Sequence, residues 1–114
     1  MQARIAEDQN NEAAAIQFYQ KILKKNALQG QALTSLAKIY QNQLKWSKSI
    51  SLLKRASRQK GYELNAFISL SQSYIELKDY DNAIKAVESI LQIKSTENYR
   101  QYLRTLKAYA KQLS

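Results

Sequence analysis

A chain of 114 residues is long enough for one domain with a real core and too short to hold a second. It has no His, Cys or Pro, which excludes imidazole and thiolate metal sites, disulfides, and Ser-His or Cys-His nucleophile pairs; no apolar run reaches bilayer-spanning length. The 18 Lys and Arg outweigh the 9 Asp and Glu, for a net charge of +9, a balance that bears on solubility and acidic partners rather than on fold.

In chain order, Met1 to Asp8 reads as the remnant of a helix, with Ile5 its only large apolar residue besides Met1. This remnant is expected to fray, and the chain is expected to be a segment of a longer protein. Asn10 and Asn11 supply a turn and a cap for a helix from Glu12 to about Lys25. Ala15, Ile16, Tyr19, Ile22 and Leu23 fall on one face of it, and Lys24 and Lys25 suit its C-terminal dipole. The next helix runs from about Gln29 to Asn42, with Leu33, Leu36, Ala37 and Tyr40 as its stripe. Its partner runs from about Lys45 to Gln59 and faces it with Trp46, Ile50, Leu52, Leu53 and Ala56. Gly61 stops that helix. Leu64 to Lys94 forms a second helix-turn-helix that bends at Lys78-Asp79-Tyr80-Asp81, where Asp79 caps and Asp81 meets the positive end of the helix dipole. Tyr80 and Trp46 are expected to wedge between helices at the two turns.

Slid against itself, the sequence superposes at one offset of 34 residues: Ile16, Ile50 and Ile84 align, as do Leu33 with Phe67, Leu36 with Leu70, Ala37 with Ser71, Tyr40 with Tyr74, Trp46 with Tyr80, Tyr19 with Leu53 and Val87, and Ile22 with Ala56 and Ile90. A fixed period of this size signals a solenoid of stacked helix pairs. The pattern resembles the tetratricopeptide repeat: Phe67, Leu70, Tyr74, Ala83 and Val87 match in one copy and Leu33, Leu36, Ala37, Tyr40 and Ala56 in another. It departs from the family where Ala27, Gly61 and Ser95 replace the closing Pro, where Ser49 replaces the small Ala, and where Ser71 stands in for Gly. The resemblance implies an all-α, antiparallel helix-pair solenoid of about three repeats plus a C-terminal capping helix. Its parts are a partial first repeat over 1–27, repeats over 30–61 and 64–95, and a capping helix or the start of a fourth repeat over 97–113. Continuing the period unbroken into the last segment would bury Gln101, Arg104 and Thr105. Delaying it by two residues instead turns Leu103, Leu106 and Ala110 inward.

The resemblance also implies a non-enzymatic adaptor whose partner is another protein, a peptide or helix held in a concave groove lined by the first helix of each repeat. Carried over position by position, the groove residues are Gln31, Thr34, Lys38, Gln41, Asn42, Asn65, Ile68, Gln72, Ile75 and Glu76, with Arg104 from the last helix. Ile68 and Ile75 are the informative pair, because they lie seven apart and off the core stripe; the alternative for them is contact with a neighbouring helix. Thr34 and Asn65 stand where members of the family that hold chaperone tails carry Lys, so such tails are not expected as ligands. No acidic residue occurs between Ala13 and Tyr62, and a basic face of Lys21, Lys24, Lys25, Lys48, Lys54, Arg55 and Arg58 offers a second surface for an acidic partner or, less in keeping with where the tyrosines fall, for nucleic acid. A further alternative is self-assembly through repeat ends that expose Ile5, Phe18 and Tyr19. No cofactor or metal is expected. The carboxylate pairs Glu7/Asp8 and Asp79/Asp81 are the remaining acid-base candidates, and the second has a sufficient role as a helix cap.

Overall fold

The structure, a computed structural model, describes residues 2–113, and side chains from residue 11 to 113. Within that range the chain is six α-helices and no strand: α1 (Gln2–Lys25), α2 (Gly30–Asn42), α3 (Trp46–Ala56), α4 (Glu63–Glu76), α5 (Tyr80–Ile93) and α6 (Glu97–Leu113). Each helix packs on the next in sequence, so the molecule grows in one direction, with extents of 43 × 35 × 23 Å.

The apolar stripes account for this stacking. Leu33, Leu36, Ala37 and Tyr40 of α2 meet Ile50, Leu52, Leu53 and Ala56 of α3; Ala66, Leu70 and Tyr74 of α4 and Ala83, Ala86 and Val87 of α5 continue the same buried cluster. Positions three and four apart share a helix face, and each interior helix has two neighbours to satisfy, so the cluster runs unbroken through the stack. Small residues sit where backbones approach, among them Ala37, Ala66, Ala83 and Ser49, all fully buried. On α6 it is Leu106 that is buried, while Leu103 packs against the cluster and Gln101, Arg104 and Thr105 are exposed.

Side-chain caps fix where α2, α5 and α6 begin. Gln29 accepts the Ala32 N–H at 2.6 Å from an extended backbone. Asp79 accepts the Asn82 N–H at 3.3 Å, and the Thr96 hydroxyl accepts the Tyr99 N–H, also at 3.3 Å. The turns after α2 and α4 are the same structure repeated. Leu44 (φ 61°) and Lys78 (φ 60°) are both left-handed, the N–H groups of Lys45 and Asp79 reach back to the carbonyls of Tyr40 and Tyr74 at 2.8 Å, and those of Leu44 and Lys78 to Gln41 and Ile75 at 3.0 and 2.9 Å. These bonds occupy the carbonyls a helix end leaves open. An L-residue there crowds its own backbone, and Leu44 gains little in return because it is 69% exposed. Leu44→Gly is therefore expected to raise the unfolding free energy by about 0.5–1 kcal/mol, the relief of strain exceeding the entropy Gly adds to the unfolded chain. Urea unfolding at unchanged m-value checks it.

Two expected boundaries are corrected. There is no turn at Asn10 and Asn11: α1 runs through them as one helix of 24 residues. Asn costs a helix only a few tenths of a kcal/mol relative to better formers, less than the hydrogen bonds a break would forfeit. The left-handed residues that make the turns after α2 and α4 have no counterpart here. Glu12 instead accepts a 2.9 Å bond from the Gln43 amide, fastening α1 to the end of α2. Met1, and the side chains of Ile5, Glu7 and Asp8, lie outside the described residues. The second correction is that α3 ends at Ala56 rather than Gln59. Beyond it the N–H groups of Arg58 and Gln59 bond three residues back, to Arg55 and Ala56 at 3.2 and 3.0 Å, a tightening common at helix ends. Gly61 (φ 91°) then reverses the chain, and Tyr62 lays its ring on Gly30. A Cβ at Gly30 would stand 2.9 Å from Tyr62 Cγ and closer still to the ring edge.

Candidate functional site

The first helices of the pairs, α2, α4 and α6, lie side by side and leave two adjoining cavities on their common face. One, of about 400 Å³, lies between α2 and α4 and is lined by Thr34, Ser35, Lys38, Gln41, Asn65, Ile68, Ser69 and Gln72. The other, of about 330 Å³, lies between α4 and α6 and is lined by Ile68, Ser71, Gln72, Asn98, Tyr99 and Tyr102. Ile68 and Gln72 line both, so the two form one channel with α4 as its ridge. Its walls are amides, hydroxyls, one ammonium, two phenols and one half-buried Ile, a lining that offers hydrogen bonds and an apolar anchor and no nucleophile-base pair.

The residues carried over from the repeat pattern separate into groups. Lys38, Asn65 and Gln72 are exposed along the channel, with Ile68 and Thr34 half-buried beside them; the Thr34 hydroxyl donates back to the Gly30 carbonyl at 3.0 Å. Gln31, Asn42 and Glu76 are exposed at the helix ends. Ile75 packs against the core cluster. Gln41 is committed within the fold: its amide donates to the Ser69 carbonyl at 3.1 Å and the Ser73 hydroxyl at 2.8 Å, joining α2 to α4. Arg104 is away from Ile68. It donates to Glu97 at 2.9 Å, on the flank of α6 that also carries Arg100, paired with Glu97 at 3.1 Å, and Lys107, which is 3.8 Å from Glu88 of α5. The opposite flank supplies Asn98, Tyr99 and Tyr102 to the channel. Sequence reasoning missed these three, although their spacing beside Leu103 and Leu106 contained the signal.

Burial, followed by the nearby Tyr99, raises the Tyr102 phenol above its ordinary value. The hydrogen bonds from Arg104 and then Arg100 hold the Glu97 carboxyl below its ordinary value of 4.5. A lowered carboxyl stabilises the fold above its unfolded pKa, and that contribution is lost as pH falls through the folded value. Any difference in Tm between the parent and Glu97→Gln at neutral pH should therefore close as the pH is taken below 4.5, which circular dichroism melts across that range check.

The basic residues do not form one uniform surface. Lys21, Lys24 and Lys25 are exposed on the last turns of α1. The Lys48 ammonium lies 5.4 Å from the centroid of the Tyr40 ring, and the Arg55 guanidinium donates to the Ala27 carbonyl, bracing α3 against the α1–α2 turn. Lys54 and Arg58 are exposed at the end of α3. Phe18 is exposed and stands edge-on to half-buried Tyr19. Among the described residues no group of three His, Cys, Asp or Glu is placed to hold a metal, and no helix is long and apolar enough to cross a membrane.

This geometry matches known repeat structures. The chain is similar to MamA, with a TM-score of 0.77 at 18% identity over 92% of its length, and to the TPR domain of P58(IPK), with a TM-score of 0.80 at 27% identity over 96%. It spans 62% of the first of those chains and 31% of the second. No curated protein matches the sequence. A family model described as "Anaphase-promoting complex, cyclosome, subunit 3" matches residues 8–90. With most of its length matched, and with the repeat seen both in its sequence and in its stacked helix pairs, the chain belongs to that family of tetratricopeptide-type repeats.

Proposed function

We propose that this chain is a protein-binding module that seats a peptide or helix of a partner protein in the channel along α2, α4 and α6. The observation that carries this reading is Ile68. It is half-buried on a face that is otherwise polar, lines both cavities, and is absent from the apolar residues packed against the core. An apolar side chain at the centre of a polar channel is an anchor for a matching side chain, while the flanking Asn65, Gln72 and Asn98 amides suit the main chain of a bound segment. The family's description is that of a subunit of a complex, in keeping with a role exercised by contact with other proteins.

Because the chain has no Cys, a single Gln72→Cys substitution allows a crosslinker to be attached at the centre of the channel alone. Incubated with lysate of the source cell, this variant is expected to capture a protein that a Ser51→Cys variant, on the exposed side of α3, does not. The double variant Ile68→Glu with Gln72→Glu is expected to lose that protein in a pull-down while keeping the parent's melting profile. Equal capture from both positions, or retention by the double variant, would rule the channel out.

A further inference from the structure

On the opposite side of the molecule, between α3 and α5, lies a cleft of about 300 Å³. One wall is Lys54, Ser57 and Arg58 at the end of α3. The other is Asn82, Lys85, Ala86 and Ser89, which share one face of α5, and the floor is Phe67, Leu70 and Tyr74 of α4. No acidic side chain lines it. Lys54, Arg58 and Lys85 are absent from the ion pairs among the described residues, all of which involve α6.

The acidic residues of α5 are turned away from this cleft. Glu88 lies toward Lys107 of α6 at 3.8 Å, and Asp81 lines a separate recess with Ala110 and Leu113. Thus α5 presents its carboxylates to α6 and its Lys85 to α3. Three exposed cations ring an apolar floor, and with no carboxylate among them their like charges add to one positive field over it.

We infer that this cleft is a second binding site, separate from the channel, for an acidic protein segment that inserts an apolar side chain between α3 and α5 while its flanking carboxylates meet Lys54, Arg58 and Lys85. Charge complementarity selects the acid. The floor favours protein over nucleic acid: Tyr74 and Leu70 are 8% and 4% exposed and Phe67 alone is half-buried, so the floor offers one partly covered ring rather than a row of open faces for successive bases, and a narrow apolar spot against which a single aliphatic side chain packs.

Fluorescence anisotropy tests this with a labelled peptide of alternating Glu and Leu, a second peptide of alternating Glu and Ser, and a single-stranded oligonucleotide. The Glu/Leu peptide is expected to bind the parent chain. Lys54→Glu with Lys85→Glu is expected to weaken it by at least about tenfold. An equal change of charge on α1, Lys21→Glu with Lys25→Glu, and the channel variant Ile68→Glu with Gln72→Glu should leave it within about twofold. All these positions are exposed or half-exposed, and matching melts establish that each variant folds. The site is overturned if the α1 variant weakens binding as much as the cleft variant, if the Glu/Ser peptide binds equally well, or if the oligonucleotide binds more tightly than the peptide. Loss of the peptide in the channel variant would assign it to the channel and overturn the second site while leaving the first standing.

Discussion

Leu33→Ala is expected to lower the unfolding free energy by about 2–5 kcal/mol, the range for truncating a buried Leu whose surroundings relax only in part. Leu33 is 0% exposed and belongs to the cluster shared by α2 and α3. Domains of this size are stable by only about 5–15 kcal/mol, so the loss removes a large share of the total. In a stack, each helix pair depends on its neighbours, and the damage should spread into α1, which is fastened to α2. Phe67, one period later, supplies the internal comparison. It is only half-buried at the edge of the α3–α5 cleft, so Phe67→Ala should cost less than the usual range for a buried aromatic residue. Urea unfolding of the two variants decides the matter; a Leu33→Ala midpoint close to that of the parent would mean that α2 is not held as described.

Ser49→Ala is expected to change stability in the other direction, raising it by about 1–2 kcal/mol. Ser49 is 0% exposed, and its hydroxyl has no hydrogen-bond partner among the described residues. An unsatisfied buried hydroxyl costs about 1–3 kcal/mol, and Ala is in addition the better helix former. The repeat supports the substitution, since Ala15 and Ala83 occupy the equivalent positions. Two other buried serines provide controls. Ser71 donates to the Ile68 carbonyl at 2.7 Å, so Ser71→Ala should be nearly neutral. Ser73 accepts the Gln41 amide at 2.8 Å, so Ser73→Ala should destabilise. The expected rank order in urea is Ser49→Ala above the parent and Ser73→Ala below it, and any other order contradicts the hydrogen-bond assignments.

The period made the interior legible. Leu36 and Leu70, or Tyr40 and Tyr74, recur because equivalent helices bury equivalent faces, and a repeated pattern can be checked against itself. Where there is no second copy to compare, the reading weakens. Asn10 and Asn11 have the composition of a turn yet lie inside α1, while the residues that do turn left-handed after α2 and α4 are Leu44 and Lys78, whose composition gives no sign of it. The contact of Gly30 with Tyr62 joins residues far apart in sequence, and no local pattern encodes it. In the channel, positions on α2 and α4 follow from the period. Those on α6 do not: with Leu103 and Leu106 turned inward, as the two-residue delay expects, the helix still brings Tyr99 and Tyr102 to the channel and keeps Arg104 on the flank with Glu97.

For the segment proposed to occupy the channel, the two hydrogen bonds of Gln41 set the thermodynamic character of its binding. By tying α2 to both a carbonyl and a hydroxyl of α4, they fix the separation and tilt of the two walls before any segment arrives. A receptor whose walls are already in place loses little conformational entropy on complex formation. Association should then be governed by the ordering of the incoming segment and by water released around Ile68, with a negative heat-capacity change as its calorimetric mark. Cutting that tie with Gln41→Ala would leave the lining of the α4–α6 cavity untouched and shift the cost of closing the channel onto the act of binding.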